Sequence, residues 1–181
     1  MSTDQRKTLL LGVLLLAAAF ALKWWYRTAT VDELSVLLRP VATLVGLASG
    51  EAWQWVTGTG AFFPDAHVLI DRSCSGINFL VIALATFTFL VLRRSDAGCG
   101  RPLLALLTLC GAVALTVLAN SGRILLMLWL QRLGLHLAPA AHEAVGAFFF
   151  LASLLLASMA LDRLLRTTTP LPVPCAHPST P

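Results

Sequence analysis

The chain is short of charge. Only 12% of its 181 residues are Asp, Glu, Lys or Arg, against about 25% in soluble domains, and 57% are hydrophobic against about 45–50%. That balance excludes an ordinary soluble globule and places the protein in a membrane. Acidic residues are the scarcer sign, 9 against 13 basic, for a net charge of +4. The basic residues sit in short hydrophilic segments between apolar runs. They read as determinants of membrane orientation, and no nucleic-acid partner is expected. Cysteine is sparse too. Cys74, Cys99, Cys110 and Cys175 show no CxxC and no Cys/His ligand spacing, which argues against a disulfide framework or a zinc site; no metal and no cofactor is expected.

What remains is a series of apolar runs. Residues 8–26 predict a first membrane helix, ended by the aromatic belt Trp24-Trp25-Tyr26, with no small-x-small cleavage pattern close behind it. Residues 31–48 have helical apolar spacing broken by Asp32, Glu33, Arg39 and Pro40, and fit an amphipathic helix or a kinked span equally well. Residues 50–71 change character, and the alternation near Trp53 to Val56, a Gly-containing turn and Val68-Leu69-Ile70 predict a small hairpin outside the bilayer. Spans are expected at 76–92, 103–119 and 144–161, with 124–137 as a short interfacial or re-entrant helix between the last two. From Thr167 the tail holds five prolines and no apolar period, so residues 167–181 are expected to be a disordered cytoplasmic tail after a membrane domain at 1–166. With the N-terminus in the cytoplasm, one face collects Arg6, Lys7, Arg93, Arg94, Arg101, Arg163 and Arg166. The fold class is therefore all-α: a polytopic transmembrane bundle of about four to six helices with a small extracytoplasmic hairpin.

Asp71-Arg72-Ser73-Cys74-Ser75-Gly76-Ile77-Asn78 stands directly before the second span. A thiol at the first turn of a helix meets the positive end of the helix dipole, which favours thiolate. Following the spans, Cys74 lies at the outer start of one, Asn120 and Arg123 at the outer end of the next, and His142 at the outer start of the last. Three useful chemistries reach one membrane level: a nucleophile, a cation and an acid/base. Each also has a plain reading. Cys74 could be an inert small residue, His142 an interfacial polar group, Arg123 a snorkelling cation, and Ser73 and Ser75 helix caps. Asp71, Arg72 and Glu143 read as a solvated rim, with Glu143 placed to tune His142; His67 and His136 have no clear partner, and Cys110 reads as packing.

Cys74-Ser75-Gly76, Asn120-Ser121-Gly122-Arg123 and the later His142, in that order and on one face, resemble the exosortase/archaeosortase family of membrane cysteine transpeptidases, in particular its compact members such as the exosortase K group. The resemblance implies Cys74, Arg123 and His142 as catalytic residues, with Asn120, Arg72, Ser75 and Gly76 around the substrate. It implies cleavage of a C-terminal tripartite signal from exported, membrane-anchored proteins, and transfer of the new end to an envelope acceptor through a Cys thioester. Hydrolysis that stops at cleavage is an open alternative. So is a non-enzymatic membrane subunit of polysaccharide export or envelope assembly, in which the same polar residues tie helices together. The expected place is the inner membrane, with the site on the extracytoplasmic face.

Overall fold

Apolar length decides which helices cross. The computed structural model describes residues 3–94, 101–135 and 138–168. Among them, Arg72–Arg93, Ala105–Arg132 and Ala140–Arg166 are long and apolar enough to span a membrane. They correspond to helices α3 (Ile77–Arg94), α4 (Arg101–Arg132) and α5 (Pro139–Thr168). Helix α1 (Thr3–Tyr26) runs antiparallel to α3. Gly12 lies where an added Cβ would be 2.6 Å from Leu92 Cδ1, and at the other end Tyr26 meets Arg72. Its described apolar stretch, Gly12–Tyr26, is shorter than those of the three spans, and the helix packs along α3. The multi-pass helical bundle expected from composition is the fold. α3 is its hub, packed by α1, α4 and α5.

Helix α2 (Ser35–Ser49) resolves the ambiguity of residues 31–48. At 15 residues, about 22 Å, it is too short to cross, and it buries one face, including Leu37, Leu38, Val41 and Val45, against α4 and the sheet. The charges that broke its apolar pattern have local tasks. Glu33 Oε2 accepts from Thr30 N at 2.6 Å and Thr30 Oγ1 at 2.9 Å, and Thr30 Oγ1 accepts from Glu33 N at 3.3 Å, a capping box. Asp32 accepts from Trp55 Nε1 at 3.1 Å and Gly58 N at 3.0 Å, and the Arg39 guanidinium covers the Trp55 ring at 5.1 Å.

The expected hairpin is a three-stranded antiparallel meander, β1 (Gln54–Val56), β2 (Gly60–Phe63) and β3 (Val68–Ile70), paired Trp55 to Ala61 and Ala61 to Ile70. Gly60, at φ +130°, lies so close to β3 that a Cβ there would be 2.3 Å from Ile70 O. Phe63, Leu34, Leu38, Ile70, Ile77, Val41 and Val45 are all fully buried, so the sheet, α2 and the start of α3 share one core. Side chains of this kind stabilise a fold by about 1.5–3 kcal/mol each on full burial. The core caps one end of the bundle, and the segment carrying Cys74 leaves directly from it.

Two further expectations are corrected. The third span does not end at Ala119, and no separate interfacial helix follows: α4 is continuous through Asn120-Ser121-Gly122-Arg123 to Arg132. Its polar quartet is accommodated because each member faces a different neighbour, as set out below. Helix α5 includes Thr167 and Thr168, so the tail cannot start before residue 169. The rest of that tail, with Cys175 and His177, the 95–100 loop with Cys99, and His136 lie outside the described residues.

Candidate active site

The Cys74 segment is shaped by its own polar residues. Asp71 is its cap: the carboxylate accepts from Ser73 N at 2.9 Å and from Ser73 Oγ at 2.6 Å. Cys74 N donates to Asp71 O at 3.0 Å and Ser75 N to Arg72 O at 3.1 Å, closing a 3-10 turn over Arg72–Cys74. Ser73 is thus the group being capped, and Ser75, buried, closes the turn at its C-terminal end through its backbone N–H. Gly76 then takes φ +70° and its carbonyl accepts from Leu80 N at 2.9 Å to start α3. The expectation of a thiol on the first helical turn is corrected: Ser75 and Gly76 separate Cys74 from Ile77, and the dipole's influence falls off beyond the terminal turn.

Helix α4 holds this segment from behind. Asn120 is fully buried, and its Nδ2 donates to Cys74 O. A Cβ on Gly76 would lie 3.0 Å from Thr116 Cγ2 and 3.6 Å from Asn120 Cγ, so glycine lets α4 approach. Asn120 therefore fixes the cysteine's main chain, while its buried Oδ1 accepts no hydrogen bond among the described residues, from Arg123 or any other group. Ser121 turns the other way, donating to Val117 O at 2.8 Å and lying 3.5 Å from Val41 O of α2. Gly122 faces the Phe149 ring of α5.

Arg123 points into a cleft. Its guanidinium lies over the Phe150 ring at 5.3 Å and against Gly146, where a Cβ would be 3.0 Å from Nε. No carboxylate pairs with it among the described residues. The cleft, of about 470 Å³, runs between α3 and α5. At its polar end it is lined by Ser73, Ser75, Gly76, Asn78, Arg123 and Glu143, and at its apolar end by Ile82, Phe150, Leu151 and Leu154. Phe79 stacks on Phe150 at 4.7 Å, joining the two walls.

The expected site residues do not all meet. Cys74 is half-buried; its neighbours Ser73, Ser75 and Gly76 line the cleft but Cys74 itself does not, and the sulfur's polar neighbour is Ser73 Oγ at 3.8 Å. His142 stands beside the cleft residue Glu143 on the first turn of α5, exposed, and its imidazole makes no hydrogen bond among the described residues. Arg72 is engaged elsewhere: its guanidinium donates to Tyr26 O and faces the Tyr26 ring at 4.8 Å. Tyr26, Asn78 and Phe150 are cleft residues that sequence reasoning passed over. Tyr26 had one readable signal, its polar hydroxyl at the site end of α1, but it was absorbed into the aromatic belt.

A helical bundle with three membrane-length apolar helices, in which Ser73, Ser75 and Gly76 of the cysteine turn, Arg123 and Glu143 of the last helix line one cleft, defines the class: a polytopic membrane protein. The transmembrane exosortase family profile matches residues 53–159, and the chain belongs to that family. No curated protein and no solved structure matches it.

Proposed function

We propose that the protein is a membrane cysteine peptidase of the transpeptidase kind, acting on exported proteins that carry a C-terminal sorting signal. The observation that carries this reading is the cleft. It joins the Cys74 turn, Arg123 and the first turn of α5 at one end to an apolar seam between α3 and α5 at the other. A substrate helix entering from the lipid along that seam delivers its preceding peptide to the polar end.

Cys74 attacks the scissile carbonyl, and His142 takes the thiol proton and returns it to the leaving amine. The product is a thioester, with the old C-terminal segment released. An amine completes transfer, or water completes hydrolysis. Arg123, held by Phe150 and free of a carboxylate partner among the described residues, stabilises the oxyanion or a substrate carboxylate. Ser75 and Gly76 border the substrate, and Asn120 serves from behind by fixing the Cys74 carbonyl. Because Cys74 and His142 are not bonded in the unliganded arrangement, the start of α5 closes on the turn when substrate binds; apo sites commonly tighten this way. The site faces the extracytoplasmic side of the inner membrane, in keeping with the basic residues at the opposite helix ends.

The rival reading, a structural subunit, draws on the Asn120 to Cys74 link, which ties helices whether or not the sulfur reacts. One experiment separates them: processing of a co-expressed exported reporter with a C-terminal sorting signal. Cys74→Ser, His142→Ala and Arg123→Gln are each expected to abolish processing while the protein remains in the membrane. Normal processing by Cys74→Ser would end the cysteine-enzyme reading. Labelling of intact spheroplasts with an impermeant maleimide tests the side: labelling at Cys74 is expected from outside, and labelling only after permeabilisation would reverse the topology.

A further inference from the structure

The cysteine turn is held from two directions, and one of them lies outside the matched family region. From α4, Asn120 takes the Cys74 carbonyl. From α1, Tyr26 takes Arg72, two residues upstream, by both its side chain and its main chain. The Arg72 guanidinium donates to Tyr26 O and stacks on the Tyr26 ring at 4.8 Å, while Tyr26 Oη donates to Arg72 O at 3.1 Å. That same carbonyl accepts Ser75 N at 3.1 Å, the bond that closes the turn around Cys74. One helical turn earlier on α1, Lys23 Nζ donates to Asn78 Oδ1, just past the glycine that starts α3. Tyr26 also lines the cleft, and it is the chain's only tyrosine, so no other phenol can take its place.

We propose that Tyr26 is a positioning residue for Cys74: through Arg72 it holds the cysteine turn against α1, so the first helix supplies a wall of the active-site cleft. The assignment rests on the reading of Cys74 as the reacting thiol. Its physical basis is that a turn of three residues has few internal contacts. Pinned at Arg72 from α1 and at Cys74 from α4, it presents the sulfur in one place; released at Arg72, it swings about the Asn120 bond. Arg72 thereby acts through the main chain of the turn rather than on substrate.

The test uses the full-length chain in lipid nanodiscs with Cys99, Cys110 and Cys175 replaced by Ser, leaving Cys74 as the one thiol. The readout is the rate of alkylation by iodoacetamide as a function of pH, with the unfolding temperature measured in parallel. Tyr26→Ala is expected to change the alkylation rate about two- to tenfold, the equivalent of losing one or two hydrogen bonds. Tyr26→Phe keeps the ring over Arg72 and loses only the Oη bond to Arg72 O, so its alkylation rate should fall between those of wild type and Tyr26→Ala. Leu22→Ala, one turn earlier on the same helix and packed on the core, should lower the unfolding temperature and leave the profile alone. A wild-type profile in Tyr26→Ala, or the same shift in Leu22→Ala, overturns the proposal. Alkylation needs no turnover. If the reporter is processed normally by Cys74→Ser, the functional reading falls on its own; if alkylation ignores Tyr26, the positioning role falls whatever the reporter does.

Discussion

Helices α3 and α5 are equally good membrane spans by length and apolar content, yet they are packed in opposite ways. Half of the apolar stretch of α3 is buried inside the protein, against 6% of that of α5. The difference is one of neighbours. α3 is surrounded by α1, α4 and α5, and its first residues join the core under the cap. α5 meets the others along a seam: Phe149 on Gly122, Phe150 on Phe79 and Arg123, and Gly146 on Arg123. Apolar content reports solubility in lipid and says nothing about which apolar face meets protein. For the cleft the consequence is asymmetric. The α3 wall, with the Cys74 turn, is enclosed by protein, and the α5 wall, which carries His142 and Glu143, packs on α3 and α4 along one side and leaves the rest of its surface exposed.

The asymmetry can be attacked from the enclosed side first, where the largest effect is expected. Gly76→Ala forces a side chain into φ +70° and drives its Cβ to 3.0 Å from Thr116 Cγ2. The left-handed conformation alone costs about 1–2 kcal/mol. Because the strain lies two residues from the sulfur, misplacement should lower reporter processing about 100-fold. Stability and processing should fall together, and a stable but inactive Gly76→Ala would mean that the turn is not part of the core.

Asn120→Ala comes next. It removes the donor that satisfies the Cys74 carbonyl and leaves a cavity beside Gly76. An unsatisfied buried carbonyl costs about 1–3 kcal/mol. Processing should drop about tenfold or more, with a parallel loss in unfolding temperature. If processing collapses while the unfolding temperature stays at the wild-type value, Asn120 acts on the substrate and not on the turn.

On the exposed side the two readouts should part. Gly146→Ala places a Cβ 3.0 Å from Arg123 Nε and 3.4 Å from its Cδ, the yielding part of a long side chain. Replacing a helix-interior glycine by alanine favours the helix by roughly 0.5–1 kcal/mol. Stability should therefore hold or rise slightly while Arg123 is pushed off Phe150 and processing falls about tenfold, the cost of one displaced charge-assisted contact. A loss of stability as large as that of Gly76→Ala would erase the contrast between the walls.

The same contrast explains what could be read from the sequence. α3 and α5 were legible because their apolar runs end in Arg93-Arg94 and Arg163, and their alternating directions were enough to bring Cys74, Arg123 and the start of α5 to one end. The continuation of α4 was hidden. Asn120-Ser121-Gly122-Arg123 looks like a helix end, but its members turn to the Cys74 carbonyl, to α2, to Phe149 and to Phe150, so helix and burial both survive. Strand β2 was missed because Gly60-Ala61-Phe62-Phe63 has no polar alternation: Ala61 and Phe63 are buried on one face and Phe62 is half-buried on the other. The engagement of Arg72 with Tyr26 spans 46 positions of sequence and has no local signature.

The smallest expected effect lies at the entry to α2, at the edge of the cap, where solvent replaces packing. Glu33 is exposed, and the Thr30 backbone N–H, followed by the Thr30 hydroxyl, holds its carboxyl below the ordinary value. A lowered folded-state pKa means that the ionised form stabilises the fold above the unfolded-state value, and that this contribution is lost as pH falls through the folded-state value. Glu33→Gln cannot ionise and should lack that contribution throughout. The difference in unfolding temperature between wild type and Glu33→Gln, followed from about pH 6 down to about pH 3, should therefore be small, positive at the upper end and vanishing at the lower. Taking the difference cancels the other carboxylates. A difference that stays constant across the window would mean that the Thr30–Glu33 box does not close in the membrane-embedded protein, and that α2 is held by its buried face alone.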